Sequence, residues 1–365
     1  MALQCGIIGI TNVGKTTIFN CISNTKAESS NFVFSTNKSN IGQINVPDTR
    51  LDVLAKLVNT SKIVPAIIEI VDIPGLARGS GKGEGVGNSF LADIRQTDAL
   101  IHVIRCFDDD NLPHIDGSVN PVRDKETIDL EMIFKDLESV EKKKNKYEKL
   151  MRAGDKYAKR ALEVVTEYIA NFENGIPARM MGFDEEKTQY VEDLFLLTEK
   201  PVLYVCNVDE KSAVSGNAYV EAVKNAVKDE KSDVLIIAGL AEEDIAGLDS
   251  EEDKMAFLQD MGLEEPGVNV LIKKAFNLLN LQTFLTAGPK EARAWTIRKG
   301  MTAPQAAGVI HSDLERGFIR AEVIKYTDYV ALGSENACKA AGKLSVEGKS
   351  YIVQDGDVLN IRFNV

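Results

Sequence analysis

Gly9-Ile10-Thr11-Asn12-Val13-Gly14-Lys15-Thr16 decides the fold of this chain, because it fits the pattern GxxxxGK[ST]. The apolar run LQCGII (3–8) leads into it, and TIFNCIS (17–23) continues from it as the start of a helix. Strand, loop and helix in that order are the setting a phosphate-binding loop needs. Glycines at 9 and 14 let the backbone curl so that successive N–H groups point inward at phosphate. The helix N-terminus adds its positive end. Lys15 is expected to bridge the β- and γ-phosphates of a nucleoside triphosphate, and the Thr16 hydroxyl to ligate Mg²⁺. A glycine-rich turn without a ligand is the plain alternative, which the flanking strand and helix disfavour.

The next informative stretch is Asp72-Ile73-Pro74-Gly75, at the end of the apolar run IIEIV. A carboxylate there reaches Mg²⁺, commonly through water, and the Gly75 N–H meets the γ-phosphate. DxxG alone is a weak signal; one strand after a phosphate loop it is a strong one. Between the two lies FVFST (32–36), where Thr36 is the candidate to close on the metal, against the simpler role of a loop threonine bonded to its own backbone. After Leu76 comes ARGSGKGEGVGN (77–88), read as a mobile switch or an inert flexible loop.

Further along, IGQINV (41–46) alternates as a half-buried strand should. ALIHVIRCF (99–107), PVLYVCNVDE (201–210) and DVLIIAG (233–239) are apolar runs of strand length. Alternating with helical segments, they predict a parallel sheet covered on both faces, an α/β fold. From Lys125 to Phe172 the composition turns to Lys, Glu, Leu and Ala. Leu130, Phe134, Leu137 and Val140 recur at helical spacing, and Gly154-Asp155 interrupts the stretch. Two antiparallel helices joined near 152–156 are expected. Their tip, KKKNKYEKLMRAGDKYAKR (142–160), is strongly basic, either a solvated face or a binding patch. From about 281 short alternating strands (AWTIRK, GFIRAEVIKY, SYIVQDG, DVLNIRFNV) surround APQAAGVIHSDL, read as one helix, giving a small α+β domain.

Composition sets the limits. At 365 residues two or three domains are expected. No run of about 18 apolar residues suggests a membrane span, and MALQCGIIGI reads as a first core strand, not a secretory leader. Five scattered cysteines form no CxxC pair and suit reduced thiols in a cytoplasmic protein. A net charge of −12 argues against nucleic-acid binding over the whole surface, but allows a local basic patch.

Asn207-Val208-Asp209-Glu210 closes the strand PVLYVC, where GTP-binding proteins carry NKxD. Val208 replaces the lysine that packs along guanine. Glu210, one methylene longer, replaces the aspartate that accepts two guanine N–H bonds. Misplaced polar pairing costs selectivity heavily, so ATP is expected over GTP; Asp209, one place early, leaves guanine binding open through a loop shift. Leu76 stands where a Ras-like protein has its water-positioning glutamine. His114, in DDDNLPHIDG, is one candidate general base, alongside a purely structural role. His102, inside a strand, belongs to the core.

Together NVGKTTIFN, VDIPGLARGSGKGEGVGNSFLADIR, NVDE and the C-terminal run LNLQTFLTAGPKEARAWTIRKGMTAPQAAGVIHSDLERGFIRAE…YIVQDGDVLNIRFNV resemble the Obg-like ATPase, or YchF, family of P-loop proteins, along essentially the whole chain. The resemblance implies a P-loop NTPase G domain (1–124 and 199–280), a helical coiled-coil insertion (125–198) and a C-terminal β-grasp domain of the TGS type (281–365). It implies a cytoplasmic monomer that hydrolyses ATP with Mg²⁺, retains some GTP binding, and associates with the ribosome, on its 50S subunit and as 70S. Nucleotide contacts would fall on Asn12, Val13, Gly14, Lys15, Thr16 and Thr17 and on Asn207 and Val208; metal contacts on Thr16 and Thr36. His114 would take the place of the missing glutamine. Asn12 resembles loops that use K⁺ as a charge aid. The chain departs from the family in Thr11, where proline is usual, Thr17, where serine is, and DIPG, where DIAG is. Contacts to rRNA or tRNA would come from the tip (142–160) and from the C-terminal face around His311 and Arg320. A ribosome- or RNA-binding adaptor with nucleotide as structural ligand, and a GTP-preferring GTPase, are the competing readings.

Overall fold

A computed structural model describes residues 3–24, 40–74 and 86–364. Within them run twelve strands: β1 (Gln4–Ile8), β2 (Asn40–Asn45), β3 (Ile63–Val64), β4 (Ile67–Asp72), β5 (Ala99–Arg105), β6 (Val202–Asn207), β7 (Val234–Ile237), β8 (Leu281–Ala287), β9 (Ala292–Arg298), β10 (Phe318–Lys325), β11 (Leu344–Glu347) and β12 (Asp357–Phe363). They form two sheets of six.

The first sheet has the order β2-β4-β1-β5-β6-β7. β1 pairs in parallel with β4 and β5, and β5–β6–β7 continue in parallel. Every residue of β5 and β6 is buried, which is why those strands read as unbroken apolar runs. Strand order reverses about β1. The loop leaving its carboxyl end therefore stands at the switch point where α/β sheets bind ligands.

Residues group into two compact units, one of 3–24, 40–42, 69–74 and 86–271, the other of 43–68 and 272–364. Residues 43–68, assigned from sequence to the nucleotide domain, thus join the C-terminal unit. The reasons are specific: β3 pairs in parallel with β9, and Arg50 donates to Asp48, to Asp355 at 2.8 Å and to Thr283 at 3.0 Å.

In the first unit the helix Pro121–Arg152 begins four residues before the predicted boundary. Asn120 caps it by accepting from the Arg123 N–H, and Pro121 occupies the first turn, where its missing N–H costs nothing. The chain reverses through Ala153–Asp155, with Gly154 at φ +89°, and Asp155 caps the helix Lys156–Glu173. Of the four residues whose spacing suggested the buried seam, Val140 is buried and Leu137 packs beside it, but Leu130 and Phe134 are 44% and 60% exposed; Ile133 and Tyr147 complete the face that meets Ala161, Val165 and Tyr168. At the root of this arm, Lys125 pairs with Asp129 (3.0 Å) and Glu230, and Arg179 pairs with the same two carboxylates at 2.8 and 3.0 Å. Tyr204 of β6 donates to Glu230 at 2.7 Å. Two cations and two anions are buried together, so the network is neutral.

The second sheet has the order β11-β10-β12-β8-β9-β3. One face packs on Ala303, Ala306 and Ala307 of the helix Ala303–Ile310. The expected single helix is broken at His311, whose backbone is extended and whose ring accepts from the Asp313 N–H to start the helix Ser312–Arg316. SYIVQDG supplies only an isolated bridge, Thr302 to Ile352, and no strand.

Candidate functional site

The loop between β1 and the helix Lys15–Asn24 takes the shape its residues allow. Gly9, Asn12 and Gly14 have φ of +154°, +64° and +93°. Asparagine tolerates the left-handed region where most residues do not. A Cβ on Gly14 would press into the Asn207 amide, so glycine is required there twice over. The Lys15 ammonium is buried and donates to the Gly9 and Ile10 carbonyls at 3.0 and 2.7 Å. Burial lowers its pKa to about 8, against the opposing pull of the Asp72 carboxylate. Burial in turn raises the Asp72 pKa, and Lys15 limits the rise.

Lys15 and Asp72 share an open cleft of about 490 Å³, also lined by Asn12, Gly14, Thr16 and Thr17. The hard oxygen donors available there, the exposed Thr16 hydroxyl and the Asp72 carboxylate, suit Mg²⁺. Val13 is buried and anchors the loop from below.

Asn207 stands behind the phosphate loop. Its amide donates to the Val13 carbonyl at 2.9 Å, and its amide oxygen accepts from the Gly239 N–H at 2.9 Å. It thus ties the phosphate loop, the end of β6 and the start of the helix Gly239–Gly247 into one frame. Val208 is buried. The Asp209 carboxylate accepts from the Ser212 N–H, capping the turn Glu210–Ser212, and Glu210 is exposed.

A third wall comes from the loop after β5. Arg105, almost fully buried at the end of that strand, donates to the carbonyls of Phe107, Asp109 and Leu112. Leu112 lines the cleft. Asn12 donates to the Pro113 carbonyl at 3.1 Å. The next residue, His114, turns away: its side chain is 4% exposed, Nδ1 accepts from the Asp116 N–H at 3.1 Å, and Nε2 donates to Asp124 at 2.9 Å. Arg105 and Asn12 were not singled out in the sequence for these contacts; a buried-length strand ending in arginine is the signal that marks the first. His102 is buried beside Tyr204, and burial lowers its pKa to about 3, as a core histidine requires.

At the tip, Lys143 is tied to Asp193 and Arg160 to Glu163 and Glu186. Lys142, Lys144, Lys146, Lys149, Arg152, Lys156 and Lys159 make no ion pair among the described residues. Tyr157, 53% exposed, packs against Tyr190 with ring centroids 5.1 Å apart and the planes tilted by 44°. In the second unit, His311 pairs with Asp313 and Arg320 with Glu322. Thr36, Gly75, Leu76 and the glycine-rich stretch to residue 85 lie outside the described residues. No helix among the described residues is long and apolar enough to cross a membrane.

Residues 4–146 match a family described as "50S ribosome-binding GTPase", and residues 281–364 match the YchF-GTPase_C family, described as "Protein of unknown function (DUF933)". Proteins named "Ribosome-binding ATPase YchF" from Bacillus subtilis, Haemophilus influenzae and Escherichia coli O157:H7 are 48%, 47% and 45% identical over the full length of both chains. The structure titled "Structure of the Schizosaccharomyces pombe YchF GTPase" superimposes with a TM-score of 0.87 at 33% identity, covering 99% of this chain and 97% of that one.

Proposed function

The chain belongs to the YchF family, and from that premise we propose that it is a ribosome-associated, Mg²⁺-dependent ATPase whose chemistry takes place in the Lys15–Asp72 cleft. One observation carries the reading: a buried lysine and a half-buried carboxylate face one cleft at the head of a helix, framed by a loop of left-handed residues. Lys15, with the loop N–H groups from Asn12 to Thr17, would hold the phosphates. Thr16 and Asp72, together with Thr36 and Gly75, would hold the metal and the γ-phosphate. Bound Mg²⁺ neutralises phosphate charge in such sites. Lys15→Ala should lower ATP turnover by about 100-fold or more, as loss of a charge-stabilising donor does. Turnover close to wild type would refute the assignment.

The base preference rests on the loop after β6. Asn207 spends both ends of its amide on the frame, Asp209 spends its carboxylate on a turn, and Glu210 alone remains free. No aspartate is left to pair with guanine, which supports ATP over GTP, although the fission-yeast relative carries "GTPase" in its title. Asn12 uses its amide N–H on Pro113 and keeps its oxygen, the atom that would bind K⁺. Replacing potassium by sodium in the assay tests that role.

For the ribosomal partner, the seven unpaired cations and the exposed Tyr157 fit RNA phosphate and an unstacked base. Lys143, already committed to Asp193, is not among them. Changing Lys142, Lys144 and Lys146 to Glu should weaken co-sedimentation with ribosomes and flatten its salt dependence, by about one in the log–log slope for each phosphate no longer neutralised. Unchanged co-sedimentation removes the tip and leaves the face around His311 and Arg320. Whether the 50S subunit or the 70S particle is bound is read in the same gradients, as is a monomeric state, and a cytoplasmic location goes with the ribosomal partner.

A further inference from the structure

The long helix Pro121–Arg152 changes character along its solvent side. From Glu126 to Glu141 the charged residues that are not buried are Glu126, Glu131, Glu138 and Glu141, against one cation, Lys135. Lys135 pairs with Glu138 at 3.0 Å, whereas Glu126, Glu131 and Glu141 make no ion pair among the described residues. From Lys142 onward the same helix turns basic. Leu130 and Phe134 lie within the acidic half. Between Glu126 and Lys149 every other exposed residue of the helix is Glu, Lys or Asn. Four residues apart, the two are neighbours on adjacent turns, and Glu126 and Glu138 flank them in the same row. The seam that packs on the second helix of the arm leaves both facing away from it, so Phe134 gains little from the folding of this chain. Apolar residues scattered singly over a surface are ordinary; a leucine and a phenylalanine side by side in an otherwise polar row mark a contact.

We propose that the Leu130–Phe134 face docks a basic protein of the ribosome, with the apolar pair as anchor and the glutamates as a matching rim. Charge selects this occupant. RNA phosphate brought here meets three carboxylates that no cation of the arm offsets, and like charges across an interface reject a partner. A second copy of the chain fares no better. An antiparallel two-fold pairing centred between Leu130 and Phe134 sets Glu126 against Glu138 across the axis, and a parallel one sets each glutamate against itself. A lysine- and arginine-rich protein surface satisfies both features. Its alkyl stems cover the apolar pair, its charged heads reach the rim, and a guanidinium over the Phe134 ring adds a cation–π contact. The inference rests on the ribosomal reading above and gives it a second contact: phosphate at the basic tip, protein nearer the root.

The test is co-sedimentation of the full chain with purified 70S ribosomes over a range of salt, as wild type, as Phe134→Ala, and as Glu126→Lys with Glu141→Lys. All three side chains are exposed, so these changes leave the core of the arm untouched. Phe134→Ala should weaken binding by about tenfold or more, as loss of an interface anchor does, and leave the salt slope as it was. The double lysine variant should weaken it as well, because it sets cation against cation. If RNA lies against this face the sign reverses: the lysines tighten binding and steepen its salt dependence, and the proposal is overturned. A photo-crosslinking phenylalanine analogue at position 134 reads the partner directly. The expected adduct is with protein and survives ribonuclease; an adduct with rRNA overturns the proposal. A wild type that co-sediments together with variants that do so equally well overturns it while leaving the ribosomal reading in place. A wild type that does not co-sediment refutes that reading, and this proposal with it.

Discussion

Lys15 shows most directly how burial tunes a single residue. An ammonium held among carbonyls in a nearly enclosed place has its pKa lowered to about 8, so it is part neutral just above that pH. A triphosphate brought against it favours the charged form. Nucleotide binding should therefore take up a proton as pH rises through about 8, and affinity should fall over the same range; near pH 7 the uptake should be small. Calorimetry in two buffers of different ionisation enthalpy measures this, and an enthalpy that ignores the buffer just above pH 8 contradicts it. The lysine itself was legible from GxxxxGK[ST]. Its partners were not, because Gly9 and Ile10 offer only backbone, and backbone acceptors leave no mark in a sequence. His114 shows the opposite limit: a histidine after a strand advertises chemistry, and only the fold reveals that a turn and a helix occupy both its nitrogens.

Among the elements, the frame behind the phosphate loop turns on Asn207. The family resemblance implies a nucleotide contact for Asn207; the structure shows its amide bracing β6, the phosphate loop and the helix Gly239–Gly247. Asn207→Asp keeps the acceptor for the Gly239 N–H but sets an oxygen against the Val13 carbonyl. The buried repulsion and broken bond should cost about 1–3 kcal/mol of stability and weaken ATP and GTP binding alike. A variant that shifts only the ATP-to-GTP ratio would return Asn207 to base recognition. Strands of the first sheet were readable because burial on both faces demands unbroken apolar runs. Helix register in the arm was only half readable: Leu137 and Val140 lie on the seam that packs, with Ile133 and Tyr147, yet Leu130 and Phe134, at the same spacing, stay exposed. Periodicity fixes an angle between residues but not which stripe meets the partner helix.

At the scale of the whole molecule, the arm is rooted by buried charge. Burial alone would push the Asp129 carboxyl up, but Arg179 and Lys125 together hold it below its ordinary value. A depressed carboxylate stabilises fully above its unfolded pKa and loses that contribution as pH falls through the folded one, so the root should loosen only below the usual carboxylate range. Arg179→Met leaves Asp129 and Glu230 with Lys125 alone and should cost about 3–5 kcal/mol, measured by denaturant unfolding; a loss under about 1 kcal/mol, the value of a surface pair, would show the network to be relaxed by water. None of these partners is adjacent in sequence: Lys125, Arg179 and Glu230 meet only because the arm returns to the sheet. The same distance hid the placement of residues 43–68, which join the C-terminal unit through β3 and Arg50. The central claim, an ATP site whose base loop no longer serves guanine, is tested most directly by titrating the purified full chain with ATP and with GTP in Mg²⁺ by calorimetry, beside Glu210→Asp. The account predicts several-fold tighter binding of ATP, and a shift toward GTP in the variant; tighter binding of GTP by the wild type would contradict it.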